Sequence, residues 1–170
     1  QAMTPIALIK ALHALAARYG IGRDIHVGDT IIGIKGRVGF EAPAPIIIIR
    51  AHHQLEKHTL SKLQLQTKDQ LAIQYGSLVH EGMFLEPLCR DLENFFTSTQ
   101  HRVSGTVKVR LAPHHFIITG MESQFDLHGK AGGAYGEFTG AWSGDDVRGF
   151  TKILSMNQKI YHQIGANDGH

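Results

Sequence analysis

Two basic side chains in a glycine-rich stretch are the strongest candidates for chemistry in this sequence. Lys35 and Arg37 stand two residues apart, so both project from the same side if the stretch forms a strand. Gly39 follows them, and glycines of this kind let a ligand come close to a ribbon. The alternative is a hairpin with a solvated basic edge, and spacing alone favours that alternative.

A histidine cluster is the best candidate for a metal site, because the chain contains 12 histidines. His52 and Glu56 are four residues apart and would share one helical face beside His53 and His58. However, no third and fourth ligands are evident, and the H-E-x-x-H string does not occur. We interpret the cluster as a solvated, histidine-rich face, and we predict neither a metal site nor a catalytic residue.

A glycine-rich segment, GKAGGAYGEFTG from Gly129, superficially resembles a phosphate-binding loop. A P-loop needs a strand, glycines at set spacing, and then Lys and Ser or Thr opening a helix, and Lys130 does not fit that order. We therefore expect a mobile connector between Gly129 and Gly144. No Ser-His-Asp arrangement can be told from chance by spacing, so nothing favours a hydrolase.

Composition excludes several classes of protein. The 17 Lys and Arg are scattered and face 15 Asp and Glu, for a net charge of +2, so binding to nucleic acid is not expected. No apolar run approaches the roughly 20 residues of a membrane span. The single Cys89 has the spacing of a core residue, and a lone cysteine suits a reducing compartment. We expect a soluble, cytoplasmic protein.

The spacing of apolar residues and breakers predicts helices with a few short strands. The first predicted elements are a helix from Thr4 and Pro5 to Gly20 and, over 24–41, a strand pair with bulges or a close approach of a ligand. A second helix ends at Gly82, and its predicted contact face consists of Leu60, Leu63, Thr67, Leu71, Tyr75, Leu78 and Val79. A helix from Pro87, a β-hairpin over 106–119 that turns at 113–115, and a terminal helix after Asp145 and Asp146 complete the prediction. In the Pro87 helix, Glu93 is expected to look outward.

The run Ile46 to Ile49 is ambiguous, because four β-branched residues favour a strand while the run is too short for periodicity to decide. Helices mixed with short antiparallel strands, a β-hairpin and a C-terminal helix indicate an α+β fold. At 170 residues the chain fits one domain, 1–170, with a sizeable core.

Three stretches of the chain carry a resemblance to a known family. They read GIGRDIHVGDTIIGIKGRVGFEAP from Gly20, LVHEGMFLEPL from Leu78 and TQHRVSGTVKVRL from Thr99. They resemble the C-terminal half of the argininosuccinate synthases, which carry GIGR, then G-x-K-x-R-G-x-Y-E-T-P, then T-x-x-R-V-x-G-T-V. The residues in register are Gly20, Ile21, Gly22, Arg23, Gly33, Lys35, Arg37, Glu41, Pro43, Arg102, Val103, Gly105 and Val107. The resemblance also favours a helix at Ile46.

The resemblance implies a ligase that joins citrulline to aspartate at the expense of ATP, with Mg²⁺ as the metal. In that family ATP is held by an N-terminal domain with an S-G-G-x-D-[ST] loop, a string that does not occur between Gln1 and His170. We therefore expect the chain to be the C-terminal part of a longer enzyme, without ATP binding or ligation of its own. The family also implies a homotetramer with interlocked C-terminal segments.

Two departures from the family pattern concern the substrate. The family's citrulline-binding glutamate and tyrosine fall on Gly28 and Phe40, so a carboxylate and a hydroxyl are missing. Asp29 substitutes for the glutamate if the strand shifts by one residue. Otherwise the substrate differs, and an N-acylcitrulline, whose α-nitrogen is uncharged, fits the change. The predicted substrate-binding residues are Gly28, Asp29, Lys35, Arg37 and Phe40, and the alternative function is a non-catalytic binding or assembly module.

Overall fold

The computed structural model describes residues 3–130 and 142–167. The elements are α1 (Pro5–Ala17), β1 (Arg23–Asp29), β2 (Lys35–Glu41), α2 (Pro43–Thr59), α3 (Lys62–His80), α4 (Pro87–Gln100), β3 (Thr106–Ala112), β4 (His115–Glu122), α5 (Leu127–Lys130), α6 (Gly144–Leu154) and α7 (Met156–Asn167). Helices with two separate antiparallel strand pairs confirm the α+β class. The chain divides into two compact units, Gln1–Lys130 and Ala131–His170. The single domain over 1–170 stays a prediction.

Helix α1 begins as its sequence predicts. The Thr4 side chain accepts a hydrogen bond from the backbone N–H of Ala7 at 3.3 Å, and Pro5 occupies the first turn, where its missing N–H costs nothing. After the helix, Gly20 has a φ of 69°, a conformation that glycine adopts without strain. The turn brings Ile21 into the core with Ala16 and Ile47.

The ambiguous run Ile46 to Ile49 is helical and belongs to α2. Pro43 starts this helix, and its buried side chains include Ala44, Ile47 and Leu55, which are separated by three and eight residues and so lie on one face. Ile49, on the opposite face, is 64% exposed. Packing of one helical face therefore overrides the strand preference of β-branched residues.

Helix α3 begins with a capping box, in which the Ser61 side chain accepts from the N–H of Gln64 and the Gln64 side chain accepts from the N–H of Ser61. The predicted contact face is wrong in part, because Leu63 is 73% exposed and Val79 is 44% exposed. The half-buried positions are Leu65, Lys68, Leu71, Tyr75 and Leu78. This face of α3 packs against α4. Contact with that neighbouring helix, rather than hydrophobicity alone, therefore decides which side of α3 is half-buried.

Helix α4 begins at Pro87, as the sequence predicts. Cys89 is fully buried and Leu92 nearly so, which confirms the interpretation of Cys89 as a core residue. Glu93, predicted to look outward, instead lies half-buried, because Tyr75 Oη of α3 donates a hydrogen bond to its carboxylate at 2.7 Å. The Tyr75 ring also packs edge-on against Phe96, with 5.7 Å between ring centroids.

Strands β3 and β4 form the predicted hairpin, with an irregularity in register between Lys108 and Val109. Val109, Leu111 and Phe116 pack against the core formed by α1 and α2. His114 is in the turn with a φ of 64°, and its N–H donates to the carbonyl of Tyr19 at 2.6 Å. The hairpin tip is therefore tied to the end of α1.

In the second unit, the predicted terminal helix consists of two helices, α6 and α7, separated at Ser155. The Ser155 hydroxyl donates to the carbonyl of Lys152 at 3.1 Å, a local bond of the kind that competes with helix continuation. Ser143, rather than Asp145 or Asp146, caps α6, and its capping-box partner is Asp146. The predicted mobile connector falls largely on residues 131–141, which lie outside the described residues.

No helix within residues 3–130 and 142–167 combines the length and the apolar character that a membrane span requires.

Candidate functional site

The candidate site is built on the ribbon formed by β1 and β2. The strands pair antiparallel from Arg23 opposite Glu41 to Asp29 opposite Lys35, with no shift in register. The prediction of a strand pair is confirmed, and within it the glycines produce no bulge. The other role considered for those glycines, a close approach of a ligand, stays a prediction.

Both ends of the ribbon depend on glycine conformations. At its base, Gly22 has a φ of 77°, and a Cβ added there would lie 2.6 Å from the carbonyl carbon of Ala42. The Ala42 N–H donates to the Gly22 carbonyl at 2.8 Å, which closes the base. At the tip, Gly33 has a φ of 79°, and the Thr30 hydroxyl donates to the carbonyl of Ile34 at 2.8 Å. These residues therefore determine where the ribbon begins and where it turns.

The register divides the ribbon side chains between two faces, because alternate residues of a strand point to opposite sides and directly paired residues share a side. The even face contains Asp24, His26, Gly28, Gly36, Val38 and Phe40. The odd face contains Arg23, Ile25, Val27, Asp29, Lys35, Arg37, Gly39 and Glu41.

The odd face holds most of the charges. Lys35 Nζ lies 2.6 Å from Asp29 Oδ1, and both side chains are about two-thirds exposed. Arg37 shares this face with Lys35, as their spacing predicts, and makes no ion pair with any residue that the structure describes. Asp29 is thus paired to Lys35 and faces away from Gly28. Moving its carboxylate to the other face requires a one-residue slip that would reverse every side chain of β1.

The even face brings Gly28 and Phe40 together, with the row His26 and Val38 between them. The His26 ring lies over Gly28, since its Nε2 occupies the space that a Cβ at Gly28 would need. A cavity of about 280 Å³ adjoins them, and its lining includes His26, Gly28, Val38 and His80 of α3. Asp29 and Arg37, whose side chains belong to the odd face, also contribute atoms to this lining. The space expected at Gly28 therefore contains an imidazole.

Phe40 occupies the other end of the even face, directly opposite Asp24. Phe40 is 39% exposed and contributes with Asp24 to a broader cavity of about 610 Å³. Asp24 Oδ1 accepts a hydrogen bond from the N–H of Ile25 at 2.7 Å. Asp24 is therefore a carboxylate on the same face as Gly28 and Phe40, which Asp29 is not.

Of the five predicted site residues, the ribbon places Gly28 and Phe40 on one face and Asp29, Lys35 and Arg37 on the other. Sequence reasoning missed His26 and Asp24. The available signal was their even spacing from Gly28, at two and four residues, which puts all three on one side of a strand.

The sequence profile described as "Arginosuccinate synthase C-terminal domain" matches residues 1–161 of this chain. The chain belongs to the argininosuccinate synthase C-terminal domain family. The resemblance carried by the GIGR and G-x-K-x-R blocks is thereby confirmed.

Argininosuccinate synthases of known sequence match most of the chain. The protein from Dictyoglomus thermophilum is 36% identical over 163 residues, which is 96% of this chain and 41% of the relative. The protein from Dehalococcoides mccartyi strain BAV1 is 34% identical over 162 residues, covering 95% and 40% of the two chains. That from Xanthomonas campestris is 34% identical over 164 residues. This argininosuccinate synthase domain thus spans about two-fifths of the length of these relatives.

The histidine cluster of this argininosuccinate synthase domain surrounds a buried carboxylate, so its interpretation as a solvated face is wrong for Glu56. The Glu56 side chain is only 3% exposed. It accepts hydrogen bonds from Lys68 Nζ at 2.7 Å, from Gln100 Nε2 at 2.9 Å and from His53 Nδ1 at 3.1 Å, while His52 Nε2 lies 3.6 Å away. We call these residues the Glu56 cluster. It joins α2 to α3 and α4.

The Glu56 cluster changes the titration of its members. Burial by itself raises the pKa of Glu56, but the nearby His52 ring together with hydrogen bonds from Lys68 and His53 outweighs it and holds that pKa well below its usual range. Contact with Glu56 raises the pKa of His52, against the opposing effect of burial. The cluster is therefore a charged network that connects helices.

Within 3–130 and 142–167, no group of three or more His, Cys, Asp or Glu side chains is arranged to hold a metal ion. The four donors and contacts around Glu56 leave its carboxylate already engaged. No chemical step is assigned to a metal on these residues.

Proposed function

We propose that this chain is the C-terminal part of an ATP-dependent carbon–nitrogen ligase of arginine biosynthesis. The ligase joins aspartate to citrulline or to an N-acylcitrulline in the cytoplasm. The family match over residues 1–161 and the relatives named argininosuccinate synthase support this proposal.

The observation that carries the proposal is the shared face of Gly28 and Phe40. These are the two positions at which the resemblance places a citrulline-binding glutamate and tyrosine. Gly28 and Gly36, which have no side chains, and a partly exposed Phe40 ring leave that face accessible, whereas the odd face is occupied by its own ion pairs. The even face is thus the substrate-binding wall in our proposal.

The side chains of the even face favour an acylated substrate. A free α-ammonium that loses a carboxylate partner loses a charge-assisted hydrogen bond of roughly 1.5–3 kcal/mol. An amide nitrogen carries no charge and needs no such partner. Asp24 is a carboxylate within the even face, and its Oδ1 accepts a hydrogen bond from the Ile25 N–H. Its second oxygen is the group that would compensate for the lost glutamate if free citrulline were the substrate.

The part of the reaction assigned to this chain is positioning and exclusion of water. In the family scheme, ATP activates the ureido oxygen of citrulline and the aspartate amine displaces AMP. Holding the reactants in contact supplies much of the rate enhancement in such a scheme. The even face, as the wall nearest the α-nitrogen, fixes the substrate's orientation.

We assign ATP and Mg²⁺ to the part of the relatives that this chain does not span. The chain lacks the S-G-G-x-D-[ST] loop, and we expect it to show no saturable binding of Mg-ATP in the micromolar range by calorimetry. Saturable micromolar binding would contradict this assignment.

We also propose that the chain takes part in a homo-oligomer, a tetramer by family resemblance. Helix α6 has no buried residue, and its Phe150, Ile153 and Leu154 are each more than 60% exposed. Exposed apolar side chains on one helix are typical of a surface that another subunit covers. Light scattering of the chain with and without residues 145–170 tests this, and a monomer in both cases would contradict it.

The second candidate is a non-catalytic binding or assembly module, favoured by the loss of both polar citrulline contacts at Gly28 and Phe40. The sequence encoded upstream in the same reading frame discriminates between the two. An S-G-G-x-D-[ST] string there supports the ligase, and its absence supports the module.

The direct test is an assay of the protein that includes the remaining part of the gene product. We expect aspartate-dependent release of pyrophosphate, with a higher kcat/KM for N-acetyl- or N-succinylcitrulline than for citrulline. No ligation with any of these substrates would refute the ligase. Equal or better use of free citrulline would refute the acylated substrate while leaving the ligase intact.

A further inference from the structure

His26 is the polar side chain at the centre of the even face. It lies one step from Gly28 along that face and directly opposite Val38, with Phe40 diagonally across the ribbon. Within residues 3–130 and 142–167, its ring makes no hydrogen bond or ion pair, so its nitrogens are available to a ligand.

The position of the ring depends on the absence of a side chain at residue 28. Nε2 of His26 is the atom nearest to the site of a Cβ on Gly28, and the two could not occupy that space together. Any larger residue at 28 would displace the imidazole. Gly28 and His26 therefore act as one unit: the glycine admits the ring, and the ring provides the polar atom.

A neutral imidazole has one nitrogen that accepts a hydrogen bond, and an acylated α-nitrogen has one N–H to donate. On the same face, Val38 lies directly opposite His26 and Phe40 lies diagonally across, and both side chains are apolar and suit the carbon atoms of an acyl group. A free ammonium carries three donors and a charge, which one neutral acceptor satisfies poorly.

We propose that His26 determines specificity by accepting, through Nε2, a hydrogen bond from the amide N–H of an N-acylated substrate. This inference rests on the proposed ligase function. In this inference, Gly28 is required because it makes room for the His26 ring, and not because it leaves an empty space.

The test is a double-mutant cycle on the full-length enzyme with His26→Ala, Gly28→Ala and both together. Each single variant removes the same hydrogen bond, one directly and one by displacing the ring. We expect each to lower kcat/KM for N-acetylcitrulline about tenfold and to lower the ratio of kcat/KM for N-acetylcitrulline to that for citrulline. The double variant is expected to lose no more than either single one, because coupled residues are non-additive. His13→Ala, on α1, is the matched control and is expected to change neither value.

Three outcomes overturn the inference. Equal loss for both substrates in His26→Ala would mean that the ring serves no acyl recognition. Multiplied losses in the double variant would mean that Gly28 and His26 act separately. An unchanged kcat/KM for N-acetylcitrulline in Gly28→Ala would mean that the ring is not seated by the glycine. Absence of ligation in the unmutated enzyme would instead refute the proposed function.

Discussion

The Glu56 cluster and the β1–β2 ribbon both carry charged side chains, but they use them differently. In the Glu56 cluster, a 3% exposed carboxylate receives bonds from residues 12 and 44 positions away, on α3 and α4. In the ribbon, Lys35 and Asp29 are about two-thirds exposed and pair across two neighbouring strands. The first arrangement connects helices, whereas the second stays within one face of the ribbon.

This difference separates residues that maintain the fold from residues available for function. Removing a buried charge leaves its partners uncompensated, while removing an exposed one leaves them in water. Because the ribbon's ion pairs lie on its odd face, the even face keeps His26 free of partners among the described residues. We therefore predict that substitutions in the Glu56 cluster change the free energy of unfolding, whereas substitutions on the even face change substrate preference.

The largest effect is expected for Glu56→Ala. The change leaves Lys68, which is 15% exposed, with only the half-exposed Asp69 as its ion-pair partner, and it removes an acceptor from Gln100. We expect the free energy of unfolding to fall by about 3 kcal/mol, measured by urea denaturation. Glu41→Gln, in the exposed pair with Arg23, is the control, with an expected change within about 0.5 kcal/mol. Equal losses for the two variants would break the comparison.

A smaller loss is expected for Gly22→Ala at the base of the ribbon. A φ of 77° is unfavourable for alanine, and the new Cβ would lie 2.6 Å from Ala42 and Pro43 backbone atoms. We expect about 2 kcal/mol of destabilisation. Gly39→Ala within β2 is the matched control, because a Cβ there meets nothing within 4 Å. A neutral Gly22→Ala would show that the base of the ribbon tolerates another conformation.

The pH dependence of unfolding sharpens the description of the Glu56 cluster. The lowered pKa of Glu56 adds stability above its unfolded pKa of about 4.3, and this is lost as pH falls through the lower folded pKa. The raised pKa of His52 adds stability below about 6.5, and this is lost as pH rises through the folded pKa.

From these two groups, the free energy of unfolding is expected to be greatest between about pH 4.5 and pH 6.5. His52→Gln should flatten the decrease above pH 6.5, measured by denaturant titrations at several pH values, with His13→Gln as the matched control. An unchanged decrease in His52→Gln would assign the alkaline loss to another group.

The smallest effect is expected for Asp29→Asn. Its partner Lys35 is exposed, so stability should change by less than about 0.5 kcal/mol. In the full-length enzyme, kcat/KM for citrulline and for N-acetylcitrulline should both stay within about twofold, because Asp29 lies on the odd face. A selective loss with free citrulline would show that Asp29 replaces the family glutamate after all.

Local signals in the sequence were sufficient for much of the fold. Thr4 with Pro5 marked the start of α1, Pro87 marked that of α4, and alternation marked the β3–β4 hairpin. These features depend on neighbours within a few residues. By contrast, the exposed side of α3 at Leu63 depends on which neighbour packs there, and amphipathic spacing does not specify that neighbour.

The candidate site was predictable only along each strand. The spacing of Lys35 and Arg37 placed them on one face, which the register confirms. Asp29 and Gly28 lie on opposite faces because the register contains no bulge. The glycine spacing in the sequence is equally compatible with a bulge, so it does not determine this arrangement. The ring of His26 over Gly28 depends on a side-chain conformation, and the burial of Glu56 depends on donors from distant helices. Neither is encoded in local spacing.

The most direct test of the even face as the substrate wall is a crystal structure of the full-length enzyme with N-acetylcitrulline bound. We predict that the acetyl group lies against Val38 and Phe40, with the amide nitrogen within hydrogen-bond distance of His26 Nε2. A substrate held instead by Asp29, Lys35 and Arg37 on the odd face, or away from the ribbon, would contradict this account.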